Sequence, residues 1–391
     1  MIVPYWRLSG FYFAYFALLG GIAPFLSLYF HHLGFSAARI GELVAIPMLM
    51  RCLAPSLWGW LGDVSGRRLL IVRCGALATA LSFTGIFLRQ DYLWLALIMA
   101  LHSFFWHAVL PQFEAITLAH LGDQSARYSQ VRLWGSVGFI ATVVGLGWLL
   151  QAFDLDVYPV VMLAIMSAIF LCSLLVPAPP SRLVKEGGQL ATGFIRQLLR
   201  PGVPAFFVCV ALMQLSHGPY YTFLTLHLEA LGYTRSAIGV MWAFGVLAEI
   251  LLFALMTRIL AFCSLKQMLV VSFALAALRW LLLGGLADHL AVLLFAQLLH
   301  AATFGSFHVA AIHFVQQSFS ERMQGQGQAL YATLAGVGGA LGALYSGYSW
   351  TSIGPFWTFA IASFAALLAA LVLQWRLPGR ADMATENDRV H

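Results

Sequence analysis

Twelve apolar stretches constrain this chain more than any other feature: roughly 9–31, 39–61, 69–88, 92–118, 129–151, 157–176, 204–229, 236–259, 266–286, 290–318, 324–349 and 354–376. A bilayer core about 30 Å thick takes about 20 apolar residues per helical span. Each stretch is therefore predicted to be a membrane-spanning helix. The runs are long and lack period-2 alternation, which excludes strands as the main element. A chain that is 61% hydrophobic and 9% charged belongs to the membrane class on composition as well. The expected fold class is an all-α membrane protein of twelve transmembrane helices.

Lysine and arginine orient these spans. An even number of spans puts both termini on one side. Arg7, Arg67, Arg68, Arg73, Arg127, Arg182, Lys185, Arg196, Arg200, Arg258, Lys266, Arg322, Arg376, Arg380 and Arg389 lie on that side, and only Arg39, Arg89 and Arg235 face the other. Both termini are thus expected in the cytoplasm. The net charge of +6 reflects topology, so the lipid bilayer is the expected partner and nucleic acid is not. No cleavable signal peptide is evident before the first span. Cys52, Cys74, Cys172, Cys209 and Cys263 are scattered without metal spacing and read as packing residues. His102 and His107, like His308 and His313, are five apart and fit one helix face poorly, so no metal site is expected.

The chain repeats itself. A shift of 198 residues lays Phe25-Leu-Ser-Leu28, Leu33-Gly34 and Ile40-Gly41 on Phe223-Leu-Thr-Leu226, Leu231-Gly232 and Ile238-Gly239. The same shift pairs His102 with His300, Gln130 with Gln328 and Gly138 with Gly336. Two homologous six-helix bundles follow, at 1–176 and 204–376. An even helix count per half makes them parallel repeats about an axis along the membrane normal. A cytoplasmic linker at 177–203 and a polar cytoplasmic tail at 377–391 complete the expected organisation.

Between the second and third spans lies Gly59-Trp-Leu-Gly-Asp63-Val-Ser-Gly66-Arg67-Arg68. Its glycines permit close helix approach, its carboxylate can meet a helix N-terminus or an arginine, and its arginines hold the loop at the cytoplasmic face. The pattern resembles the signature of the major facilitator superfamily of transporters. The resemblance implies a multi-pass protein of a bacterial inner (plasma) membrane, working by alternating access. It also assigns the stretch to gating, with Asp63 and Arg67 as the contacts expected to stabilise the outward-open state. The glycine stripes Gly135-x-x-Gly138 and Gly336-x-Gly338-Gly339-x-x-Gly342 would let the fifth and eleventh helices pack tightly.

Charged side chains inside spans are costly and mark functional positions by default. They are Arg51, Glu114, Arg132, Glu249 and Arg279, accompanied by His102, His107, His217, Tyr220, Tyr221, His300 and His308. Interhelical ion pairs, Glu114 with Arg132 and Glu249 with Arg279, would account for four of the charges structurally. Tyr128-Ser-Gln-Val-Arg132-Leu-Trp-Gly135-Ser-Val-Gly138-Phe139 is similar to the start of helix 5 in the lactose permeases. That likeness implies a substrate site at Glu114 and Arg132 with Phe139 against a ring, and a proton site at Glu249, Arg279 and His300. Thr303 departs from the pattern, since those permeases carry a proton-bearing carboxylate there. His217-Gly-Pro-Tyr220-Tyr221, Gly245-Val-Leu-Ala-Glu249, Leu278-Arg279-Trp280 and Leu299-His300-Ala-Ala-Thr303 look like the 3-phenylpropionate permease family, a proton symporter branch.

Charge arithmetic bears on the substrate independently. Three arginines face two carboxylates within spans. If the two pairs form, Arg51 is left without a protein anion, and a guanidinium fork suits a carboxylate. Phe104, Phe105, Trp106, Phe113, Trp134 and Phe139 crowd the same half. The expected substrate is a small organic anion, an aromatic carboxylate imported with a proton. Arg51, His102, Glu114, Arg132, Phe139 and Tyr221 would bind it, and Glu249, Arg279, His300 and His217 would couple the proton. A sugar or nucleoside symporter is the alternative. An efflux antiporter fits less well, because the fifth span lacks the Gly-Pro pair usual in drug antiporters. No Walker loop, His-Glu-x-x-His or G-x-S-x-G elbow points to an enzyme. A monomer is expected, with no cofactor other than the proton as coupling ion.

Overall fold

The computed structural model describes residues 3–179 and 193–377. Most of the expected linker, with Arg182 and Lys185, lies outside the described residues, as does the tail from 378 onward with Arg380 and Arg389. Among the described residues all regular structure is helical. The spans are α1 Tyr5–His32, α2 Ala37–Ser65, α3 Arg68–Phe83, α4 Tyr92–Leu121, α5 Tyr128–Ala152 and α6 Tyr158–Leu175. After a short turn at Phe194–Leu198 come α7 (Val203–Ser216 and Gly218–Ala230), α8 Arg235–Phe262 and α9 Leu265–Gly285. The last are α10 (Leu290–His300, Ala301–Ser306 and Phe307–Ser318), α11 Gln324–Ser352 and α12 Pro355–Arg376.

Among the described residues, ten continuous helical stretches are long and apolar enough to cross a membrane, and one of them, Tyr92–Ala152, contains both α4 and α5. The twelfth span is α7, whose two segments are 14 and 13 residues long. It breaks at His217 because Gly218 and Pro219 follow: proline lacks the N–H that would continue the ladder and disfavours helix in the residue before it. The middle of α10 widens into a π-helical turn at Ala301–Ser306, a feature that often marks functional positions.

Two compact units result: Met1–Gly187 with Tyr221–Ala243, and Gly188–Tyr220 with Phe244–His391. The first therefore holds α1–α6 together with the second segment of α7 and the start of α8. Glycine explains the attachment. A Cβ at Gly147 would stand 2.7 Å from the Arg235 carbonyl, and Gly239 lies against the Val143 carbonyl. Arg235 in turn donates to the Leu150 carbonyl at 2.9 Å, and its backbone N–H reaches Gln151 at 2.9 Å.

The repeat is visible bond for bond at the α1–α2 and α7–α8 turns. Gly34 and Gly232 both take positive φ, 83° and 90°. Phe35 N–H returns to the Phe30 carbonyl, as Tyr233 N–H returns to Leu228, at 3.2 and 3.0 Å. Gly34 reaches His31 as Gly232 reaches Glu229, at 2.9 and 3.0 Å. These are glycine-terminated helix ends that satisfy the last carbonyls. The 198-residue offset slips further along. Gly138 packs on the Phe13 carbonyl, whereas its counterpart on Ala211 is Gly338, two residues beyond Gly336. Basic residues also close helix ends. Arg73 of α3 donates to the carbonyls of Ser173 and Leu174 in the last turn of α6 and of Val176 just past it, and Lys266 of α9 donates to that of Leu377 past α12.

Candidate functional site

The α2–α3 loop assembles first. Gly66 caps α2 with a left-handed φ of 64° and returns its N–H to Gly62. That reversal swings Arg68, the first residue of α3, back over Asp63, with which it forms an ion pair. Its other guanidinium nitrogen donates to Gln112 Oε1 at 2.8 Å, and Gln112 Nε2 donates to the Trp58 carbonyl at 3.1 Å. The expectation named Asp63 and Arg67 as gating contacts and left open which arginine the carboxylate meets. Arg67 instead projects as an exposed residue, and Arg68 makes the bridge. A cation at the first turn of α3 sits at the positive end of a helix, and the Asp63 carboxylate offsets it. Gln112, 1% exposed, escaped the sequence reading because one glutamine in an apolar span carries no pattern. The close-approach glycine is Gly62, whose Cβ would stand 2.5 Å from Gln112 Oε1, whereas Gly59 has open space.

In the first unit the polar residues of α2, α4 and α5 converge on aromatic rings of α1. Arg132 lies over Phe16 at 3.8 Å and Tyr12 at 5.6 Å. Glu114 accepts from the Tyr128 hydroxyl at 3.2 Å. No ion pair joins Glu114 to Arg132 among the described residues, although the two interact electrostatically. The rings of α1 occupy the arginine's faces and Tyr128 takes the carboxylate. Phe139, expected against a substrate ring, is 8% exposed, and its carbonyl faces Gly20 of α1. The rings beside Arg132 are those of Phe16 and Tyr12, on a different helix. Arg51 is exposed on α2 and makes no ion pair or hydrogen bond among the described residues; it interacts electrostatically with Tyr15 and His107. Tyr15 stacks on Trp106 at 5.4 Å, and Trp106 stands 4.9 Å from His107 and 5.9 Å from His102. Tyr221 has its ring 6.2 Å from that of Trp242.

The second unit holds Arg279, His217, Glu249 and His300 together with neutral polar partners. Arg279 is 0% exposed. Its Nε donates to the Ala296 carbonyl at 2.9 Å, its Nη2 to Gln297 Oε1 at 3.2 Å and its Nη1 to Thr303 Oγ1 at 3.3 Å. Its guanidinium also lies over Tyr220 at 4.2 Å and Trp280 at 4.7 Å. Thr303 donates in turn to the His300 carbonyl at 3.3 Å, within the π-helical turn. His300 Nε2 stands 3.8 Å from Glu249 Oε2, with its ring between Tyr220 and Phe304. Gly305 admits the Glu249 stem, which would lie 3.3 Å from a Cβ there. His217 meets the edge of Trp280 at 4.8 Å and bonds the Met213 carbonyl through Nδ1. A carboxylate and an imidazole this close, inside a span, can share and pass a proton. Outside the spans, His32, Asp154 and Asp156 bring ligand-type atoms within 4.8 Å of one another, all exposed.

Twelve apolar spans, an internal repeat and charged clusters within the spans define a secondary transporter of the major facilitator type. The chain belongs to the MFS_1 like family, whose profile matches residues 5–361. A relative from Escherichia coli (strain K12), named "Probable 3-phenylpropionic acid transporter", is 30% identical over 369 residues, covering 91% of this chain and 94% of the relative. The maltose permease of Geobacillus stearothermophilus is 26% identical over 380 residues, covering 94% and 93%. The crystal structure of nucleoside transporter NupG superposes with a TM-score of 0.82 at 18% identity, over 96% of this chain and 98% of that one. That last likeness is one of fold.

Proposed function

We propose that this protein imports a small aromatic carboxylate together with a proton, as a monomer in a bacterial inner membrane with both termini in the cytoplasm. One observation carries the reading. Arg51 stands on a membrane-spanning helix beside Tyr15 and His107 with no carboxylate partner among the described residues. A guanidinium in that setting favours an anionic ligand, and its fork matches a carboxylate. Arg132, held over Phe16 and Tyr12 without an ion pair, offers a second cation. The stacked rings of Tyr15 and Trp106 supply apolar faces for an aryl group. The relative named for 3-phenylpropionic acid supports the same class of substrate. Glu249 and His300 are the groups that would take the proton, with Arg279, Thr303 and Gln297 fixing their surroundings.

Counterflow of labelled 3-phenylpropionate in reconstituted vesicles tests the assignment. A charge-assisted contact is worth about 1.5–3 kcal/mol, so Arg51→Gln should weaken binding of the acid roughly tenfold or more while sparing neutral analogues. A neutral sugar or nucleoside that competes better than every acid would overturn the reading. In that outcome Glu114 with Tyr128 becomes a hydroxyl-binding pair.

A further inference from the structure

Two polar atoms on α4 are buried without partners. Trp106 Nε1 and His102 Nδ1 make no hydrogen bond, although the residues are 5% and 2% exposed. They lie one helical turn apart, and their rings are nearly parallel at 14°. Orphaned polar atoms in a membrane-spanning bundle are expensive, and each calls for an unseen partner. Their chemistry restricts that partner. An indole N–H donates only. In the neutral tautomer that carries its proton on Nε2, the His102 Nδ1 is an acceptor. A group that accepts from Trp106 and donates to His102 is a hydroxyl.

The position of the pair is as informative as its chemistry. Trp106 is the ring on which Tyr15 stacks, and it adjoins His107, the neighbour of Arg51. The two orphaned atoms therefore belong to the ring cluster that would hold the aryl group of an acid. We propose that Trp106 Nε1 and His102 Nδ1 form a hydroxyl subsite, and that the preferred substrate is an aryl carboxylate bearing a ring hydroxyl. This inference rests on the acid-binding reading of the Arg51 cluster.

The test is competitive binding to the purified full-length protein. The ligands are 3-phenylpropionate, its three ring-hydroxylated isomers and the corresponding methyl ethers. At least one hydroxylated isomer should bind roughly fivefold or more tightly than the parent acid, the effect of one well-made hydrogen bond. Its methyl ether, which accepts but cannot donate, should lose that gain. Trp106→Phe keeps a ring for Tyr15 to stack on and removes the N–H. It should abolish the hydroxyl preference, read within the variant as the ratio of affinities for the hydroxylated and parent acids. His102→Phe, which removes the acceptor, provides a second reading should Trp106→Phe fail to fold. Acid binding with no hydroxyl preference, or a preference that survives both substitutions, overturns the subsite alone. Failure of every acid to bind overturns the carboxylate reading and the subsite with it.

Discussion

Asp63 can reach either of two adjacent arginines along the chain, and it takes Arg68. The left-handed cap at Gly66 decides between them, because the reversal aims the first residue of α3 back at the end of α2. Arg68 then serves Asp63 and Gln112 with separate nitrogens, a division that a single ammonium cannot reproduce. Arg68→Lys should lower the initial uptake rate about fivefold, the factor given by ~1 kcal/mol for a partly exposed pair. Arg67→Lys should leave the rate within about twofold, as expected for a solvated charge. Equal losses in the two variants, measured at matched expression, would remove the distinction. The sequence made the charges legible because each stands out against an apolar background. It did not make their partners legible: Glu114 turned to Tyr128 and Arg132 to Phe16, contacts that depend on how α1 rotates against α5. Gln112 and Gln297 were equally silent, since neutral polar residues are common in spans and bear no charge to be explained.

Helices were readable as elements because apolar length alone identifies them. Their interruptions were harder to read. The break in α7 follows from Gly218 and Pro219, whereas the π-helical turn of α10 has no proline to announce it. Glycine stripes foretold close packing of α5 and α11 but not which residue makes the contact. Gly138 and Gly338 each lie against a backbone carbonyl, of Phe13 and Ala211, and backbone cannot rotate out of the way of an added methyl. Gly138→Ala and Gly338→Ala should therefore force α1 from α5, and α7 from α11, at a cost of about 1–3 kcal/mol each. Gly145 and Gly59 have open space, so alanine there should leave stability unchanged. Thermal unfolding in detergent, followed by tryptophan fluorescence, should show a lowered Tm for the first pair only. Four indistinguishable melting curves would mean that the helices yield at these positions.

At the scale of the whole molecule, two features of the sequence govern function: the bias of basic residues and the repeat. In the proposed topology the α8–α9 loop is cytoplasmic, and Cys263 in that loop is exposed. A membrane-impermeant maleimide should therefore label Cys263 in inverted vesicles and spare it in intact cells, with Cys263→Ser as the control; labelling from outside would invert the proposed topology. The repeat puts His102 in the first half opposite His300 in the second, yet their surroundings have diverged. His102 sits among rings, whereas His300 sits beside Glu249 with Arg279 close by. In the proposed mechanism one cluster selects the substrate and the other changes charge with the proton. Arg279 is held by Ala296, Gln297 and Thr303, so its position does not depend on Glu249 alone. Neutralising Glu249 should then leave the anchor in place and remove the titrating group. Glu249→Gln should abolish accumulation of substrate driven by a pH gradient, acid outside, while preserving counterflow, because exchange need not release the proton. His300→Gln should reduce accumulation without abolishing it if His300 only tunes the carboxylate at 3.8 Å. The decisive measurement is uptake into vesicles with and without the gradient, compared with counterflow in the same preparation. If Glu249→Gln still concentrates substrate against its gradient, Glu249 is not the obligatory proton carrier, and His300 becomes the group to test.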